Sequence, residues 1–287
     1  MSKTLSTGHA NRGRLLLLAA AVMWSTSGWF IKNPRLASLS GPELASYRAI
    51  FAALCVVPFV HRCSIRWRPM LVPMVIAFAL MNVLFVTSMT KTTVAATVFL
   101  QYTSTVWTFV FGVLFLRERV ERGNLFALVC GIGGIVWIIA SDTVGLHTLG
   151  NGMALASGIA FAVVILCLRY LRDEDPIWLI ALNHGVTALI LLPFLLLSRD
   201  ALDSVQWSLV ASMGVVQMGV PYVVFAGGIR YVNAQEAALI LLLEPILNPM
   251  WVWLFWHEPA SMAIWIGGAF IVGGLAIRYF VMTNSKV

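Results

Sequence analysis

Long apolar runs recur along nearly the whole chain, and they leave few architectures open. A helix needs about 20 mostly apolar residues to cross a bilayer. Ten stretches meet that length, at approximately 14–31, 43–60, 69–88, 92–115, 122–140, 149–171, 176–197, 206–229, 233–256 and 259–281, here called spans 1 to 10. The strict alternation of barrel strands is absent, so the reading is an all-α integral membrane protein. Composition agrees. Only 11% of the 287 residues are charged and 60% are hydrophobic, whereas soluble domains carry about 25% charged residues. The basic start and the apolar run from Arg12 to Ala21 imitate a signal peptide, but every later stretch is as apolar, so this is read as an uncleaved first span. Pro42, Pro69, Pro176 and Pro259 stand near span starts, where a missing N–H costs little.

The net charge of +7 comes from basic residues scattered between apolar blocks, not from a stripe that could read nucleic acid. Of the cysteines, Cys55, Cys130 and Cys167 lie in spans and Cys63 in a basic loop; no pair has metal or disulfide spacing, and no cofactor is implied. With the N-terminus placed in the cytoplasm, fourteen Lys and Arg fall on the cytoplasmic side and four (Lys32, Arg35, Lys91 and Arg199) on the other. That bias orients the chain in the cell (inner) membrane with both termini cytoplasmic.

Shifting the chain by 140 positions brings like features together. Val83 meets Val223, Phe85 meets Phe225, Leu114-Phe115 meets Leu254-Phe255, Glu118 meets Glu258, and Gly133-Gly134 meets Gly273-Gly274. With slightly smaller shifts Trp24 falls opposite Phe161 and Pro58 opposite Pro193. The expected organisation is a tail (1–13), a first five-helix repeat (14–140), a second (149–281) and a tail (282–287). Five is odd, so the second copy enters from the opposite face. Such inverted repeats are a common plan of secondary transporters, with the substrate held near the midplane.

The chain resembles the drug/metabolite transporter superfamily in its ten-helix, EamA-type form. The resemblance runs from about Arg14 to Phe280 and rests on Trp24-Ser25, on Arg48 ten residues before Pro58, and on Glu244-Pro245 thirteen residues before Glu258. The family usually has Pro where this chain has Thr105, and Gly where it has Arg117 and His257. Trp24-Ser25-Thr26 and the layout are most similar to the aromatic amino-acid exporter branch, which implies amino acids as substrates.

Residues that could carry transport are polar or aromatic groups deep in the spans. Span 4 carries Thr93, Thr97, Gln101, Ser104, Thr105 and Thr108 at helical spacing, with Tyr102 beside them. Such a face turns toward protein or water; the threonines serve equally well as interhelical glue, while the amide of Gln101 asks for a wet cavity. Span 9 places Glu244 and Asn248 opposite Ser104 and Thr108. An ionised acid at that depth costs about 2.5–3.5 kcal/mol or more, which marks Glu244 for function ahead of packing. Pro245 and Pro249 leave the carbonyls of Leu241 and Pro245 without helical donors, so the helix should kink there. Together with Pro221 they are the expected hinges. Trp24, Met81, Asn82, Phe85, Phe161, Asn183, His184 and Tyr222 complete a cavity with aromatic walls and a few polar groups, suited to a small amphipathic solute. Arg48 snorkels to the non-cytoplasmic surface or, as the second choice, holds a carboxylate. Trp251, Trp253 and Trp256 read as interface anchors, Asp173-Glu174-Asp175 as a solvated loop, and the glycines of spans 5 and 10 as close-packing scaffold.

These features point to a secondary transporter exporting small metabolites, amino acids first, by alternating access, with lipid and a small-molecule substrate as partners and proton coupling through Glu244 open. Export of another small solute or drug is the alternative. A lipid-modifying enzyme needs a cluster of acids, histidines or metal ligands that is missing here, and no nucleotide or hydrolase motif occurs. Oligomeric state is not legible.

Overall fold

The computed structural model describes residues 7–61, 65–116, 122–141, 147–198, 201–232 and 234–284. The expectations for Cys63 and Glu118 lie outside these residues. Span 1 consists of α1 (Thr7–Ser25) and α2 (Ser27–Ile31), span 2 of α3 (Gly41–Val56) with the 3-10 turn Val57–Phe59, and span 3 of α4 (Leu71–Lys91). Span 4 is α5 (Val94–Tyr102) and α6 (Ser104–Leu116), and span 5 is α7 (Arg122–Ala140). Spans 6 and 7 are α8 (Thr148–Tyr170) and α9 (Pro176–Leu197). Span 8 is α10 (Ser204–Gly214) and α11 (Val220–Gly228) joined by a π turn, Val215–Gly219. Span 9 is α12 (Ala234–Leu241) and α13 (Glu244–Trp256), and span 10 is α14 (Met262–Asn284). Among the described residues there is no strand. Eight helices are long and apolar enough to cross a membrane, and the apolar helices Leu125–Ala140 and Met262–Arg278 are shorter.

Helix starts follow from local chemistry. Ser40 and Glu43 form a reciprocal capping box at α3, and Asp203 and Gln206 form another at α10. Thr93 accepts from the Ala96 N–H at the start of α5, and Asp175 accepts from Ile177 N–H at the start of α9.

The packing repeats itself. Span 3 lies along span 6 as span 8 lies along span 1; span 4 packs on span 6 as span 9 packs on span 1. Span 2 pairs with span 7, and span 5 with span 10. Exchanging each span with the one five places on maps this pattern onto itself, and an odd repeat reverses direction across the membrane. The result is an all-α bundle of two inverted five-helix repeats. Spans 5 and 10 approach closely at Gly134 and Gly267: a Cβ on either would run into the other's carbonyl oxygen. Residues as small as glycine are what permit such contact.

Four spans that the sequence suggests as single crossings are interrupted. Span 9 breaks at Leu242–Leu243, just before Pro245 as the lost N–H requires. Span 4 breaks at Thr103, the position matched to 243 by the 140-residue shift, although it has Thr105 where span 9 has proline. Here the Thr103 hydroxyl donates to the Leu100 carbonyl at 2.6 Å, competing with the helical ladder. Span 1 breaks at Thr26, where Ser25 and Thr26 hydroxyls bond back to Val22 and Met23 carbonyls, both at 2.7 Å. In span 8 the π turn precedes Pro221, which has no N–H for the Gln217 carbonyl.

The face where α1 begins and α14 ends is called the terminal face, and its opposite the far face. At the far face, Lys32 at the end of span 1 pairs with Glu258 at the end of span 9, at 2.6 Å. Glu258 also accepts from Val94 N–H at the start of α5 (2.8 Å), and Lys32 donates to the Thr92 carbonyl (3.0 Å). Beneath this lies an apolar cluster that includes Phe30, Leu36, Leu44, Met89, Val94, Val210 and Val252. The far face is thus closed by packing from both repeats. At the terminal face Arg14 pairs with Glu236 at 2.5 Å, with both side chains substantially exposed. Arg68 pairs with Glu174 at 2.6 Å, and the Glu174 side chain is buried. The Asp173-Glu174-Asp175 run is therefore not a solvated loop: Glu174 is locked into an ion pair and Asp175 caps a helix.

Candidate substrate site

The two breaks in spans 4 and 9 face each other. Tyr102, the last residue of α5, donates its hydroxyl toward the Leu241 carbonyl (3.1 Å) and the Glu244 carboxylate (2.9 Å). Leu241 is the residue whose carbonyl Pro245 leaves without a helical donor. The tyrosine of one repeat thus completes the broken ladder of the other and fixes the acid at its start. Glu244 itself stays half-buried.

Aromatic walls assemble beside this bridge. Trp24 packs edge-on against Tyr222 at 5.0 Å between ring centroids and lies 5.4 Å from Phe225. Met81 and Phe161 share one apolar cluster with both Trp24 and Tyr222. Phe85 belongs to the far-face cluster, together with Tyr102. The His184 ring meets Phe78 at 5.0 Å and Tyr222 at 5.5 Å, both edge-on. Spans 1, 3, 6, 7 and 8 therefore all contribute to a mid-membrane wall, and spans 4 and 9 close it with Tyr102 and Glu244.

Arg48 is the main correction at this site. It does not snorkel: it is 1% exposed, and it donates to the Asn82 side-chain oxygen. Its guanidinium lies 5.8 Å from the Phe85 ring centroid. Tyr222, His184 and Glu244 are all within electrostatic reach of it. The sequence allowed both readings of Arg48 because depth in a span does not say which way a long side chain turns.

Several buried polar atoms on these spans have no hydrogen-bond partner among the described residues. They include Arg48 Nε, Asn82 Nδ2, Asn183 Oδ1, both ring nitrogens of His184, Thr187 Oγ1 and Gln217 Oε1. Buried polar groups are nearly always satisfied, so Arg48, Asn82 and His184, which adjoin one another, are the candidates to contact a polar solute. Gln217 was not singled out from the sequence; it sits in the π turn, is buried, and donates to the Trp24 carbonyl at 3.4 Å. A lone glutamine four residues before a proline inside an apolar span was the available signal.

Other expected site residues serve packing. The Asn248 side chain accepts from Gly28 N–H (3.0 Å) and donates to Ser27 (2.8 Å), so its amide clamps the start of α2 instead of facing a solute. A Cβ on Gly28 would collide with Asn248 and Val94, so the clamp needs glycine. Ser88 donates to Thr97 (3.2 Å), and Thr108 bonds back to the Ser104 carbonyl (2.8 Å). Ser104 is buried and Gln101 half-buried at the span 4 break. Trp251 and Trp256 are not free interface anchors: their indoles donate to Ser25 and to the Trp29 carbonyl, each at 2.9 Å. Trp253 does remain exposed. Among the described residues no group of three His, Cys, Asp or Glu could hold a metal ion.

The model of the EamA-like transporter family matches residues 11–140 and again residues 148–280. An uncharacterized transporter from Archaeoglobus fulgidus is 29% identical over 269 residues, covering 93% of this chain and 96% of that protein. The pseudopaline exporter CntI of Pseudomonas aeruginosa is 22% identical, covering 91% and 93%. A solved crystal structure superposes with a TM-score of 0.69 at 15% identity, covering 94% of this chain and 98% of that one, which speaks to the fold.

Proposed function

Since the chain belongs to the EamA-like transporter family, we propose that it exports small metabolites, amino acids first among them (aromatic or other neutral), by alternating access to the mid-membrane site. The observation that carries this reading is the Tyr102–Glu244 bridge between two broken helices, one from each repeat. Broken spans with polar groups at the break are how transporters build solute sites inside lipid. Trp24, Met81, Phe85, Phe161 and Tyr222 supply apolar surface for a side chain, and Glu244, Asn82, Gln101, Ser104, Asn183 and His184 supply polar contacts for a head group.

The packing joins spans 3, 4 and 6 on one side and spans 1, 8 and 9 on the other, each group drawing on both repeats, and these are the rocking units, with Pro221, Pro245 and Pro249 as hinges. In this conformation Lys32 and Glu258 hold the far face shut. The proposed setting is the cell (inner) membrane with both termini cytoplasmic, so the far face is the release side. Glu244 is the group that would exchange a proton if export is coupled to one. The relative named as an exporter supports the direction of transport.

The test is counterflow with purified protein in lipid vesicles. Saturable exchange of labelled phenylalanine for an unlabelled internal pool is the expected result. Linear, non-saturable flux, or none for any neutral amino acid, overturns the amino-acid reading.

A further inference from the structure

Arg48 and Glu244 are the two charged residues that lie deep within the spans rather than near their ends. They sit on different repeats, span 2 and span 9. They are within electrostatic reach of each other, yet no ion pair joins them among the described residues. Each is held instead by a neutral partner, Arg48 by Asn82 and Glu244 by Tyr102. A buried guanidinium with an unpartnered Nε and no carboxylate against it is costly. Chains retain such groups where an anion arrives to complete them.

We propose that Arg48 and Glu244 form the two poles of a zwitterion site: Arg48 takes the carboxylate of the solute and Glu244 takes its ammonium group. This rests on the amino-acid reading above and assigns the ends of the solute within it. Arginine presents paired N–H donors that match a carboxylate, and Nε is one of them. Asn82 fixes the guanidinium from one side, and its free Nδ2 adds a donor beside the same anion. The Phe85 ring lies against the guanidinium and keeps the pole out of the far-face core. At the other pole Tyr102 occupies one carboxylate oxygen of Glu244 and leaves the second for the ammonium group. Because the two poles stand on different spans, 2 and 9, one solute touching both bridges those spans. Only a zwitterion satisfies both poles at once, so a carrier built this way discriminates by head group and leaves the side chain to the aromatic wall.

The experiment is competition in the phenylalanine counterflow assay with wild-type protein, followed by variants. Phenylalaninamide lacks the carboxylate and 3-phenylpropionate lacks the amine. Each charge-assisted contact is worth at least about tenfold in affinity, so both compounds should compete about tenfold or more less well than phenylalanine. Arg48→Gln should lower phenylalanine counterflow by about tenfold or more, with Arg48→Lys recovering part of it because the charge remains but the fork does not. Phenylalaninamide competing as well as phenylalanine, or Arg48→Gln exchanging at the wild-type rate, overturns the assignment and leaves an amino-acid carrier standing. Absence of saturable counterflow for every neutral amino acid overturns the carrier reading and the assignment with it. The competition arm uses wild-type protein, so misfolding of a variant does not decide the matter.

Discussion

Spans 4 and 9 are the same element twice, and they differ in ways that separate scaffold from chemistry. Both break in the middle, at Thr103 and at Leu242–Leu243, and both send their second halves toward a face of the bundle. Span 9 breaks because proline deprives a carbonyl of its donor. Span 4 breaks without proline, using a hydroxyl that competes for its own backbone. The geometry is therefore maintained by two unrelated local devices. The polar cargo of the breaks, however, is not shared: position 104 is serine and position 244 is glutamate; position 108 is threonine, bonded within its own helix, and position 248 is asparagine, clamped onto span 1. The frame is symmetric, which is what the proposed exchange between two equivalent conformations would require. The charges are asymmetric, which is what the proposed solute with two different ends would require.

Seven substitutions, four of principal interest and three for comparison, probe that contrast, from the largest effect to the smallest. Glu244→Gln should reduce counterflow by about tenfold or more, the loss of one charge-assisted contact, whereas Ser104→Ala at the matched position should stay within about twofold; Glu118→Gln should also cost less than Glu244→Gln. Equal losses for Glu244 and Ser104 would make the two breaks functionally equivalent. Asn248→Ala removes both bonds to the start of α2 and leaves Gly28 N–H buried without an acceptor. It should lower stability by about 1–3 kcal/mol, read as the detergent-solubilised melting temperature, while Thr108→Val should barely move it. Tyr102→Phe deletes the hydroxyl that spans the two breaks. A loss of about 1 kcal/mol in stability is expected, with a several-fold fall in counterflow; unchanged transport would detach the bridge from the mechanism. His257→Gly tests the end of span 9. His257 ends α13 in the left-handed region, with φ of 53°, a conformation that costs a non-glycine residue about 1–2 kcal/mol and that glycine usually fills. The substitution should raise the melting temperature slightly and leave transport unchanged.

The crossings were legible because length and apolarity alone specify them, and the repeat because a fixed shift brought like residues together. The kink at Pro245 was legible because a missing N–H is a property of one residue. The break at Thr103 was not, because a threonine that bonds back to its own helix leaves no mark in the residue pattern comparable to a proline. Arg48 could be placed at a depth but not given a direction, and its burial depends on Asn82 and Phe85, which belong to another span. Asn248 was rightly seen as deep and polar; that its amide clamps the broken start of α2 could not be foreseen while span 1 was read as unbroken. Glu174, Trp251 and Trp256 were misread for the same reason: each finds a partner distant in sequence.

If the solute passes by alternate exposure, the far face must open in every cycle, and the Lys32–Glu258 pair must part. Cysteines at these two positions, in a background without Cys55, Cys63, Cys130 and Cys167, can be joined by a short bis-thiosulfonate and released with reductant. Phenylalanine counterflow should fall to background while the link is intact and return when it is cut. Exchange that continues at the unlinked rate through the joined protein would contradict alternating access outright.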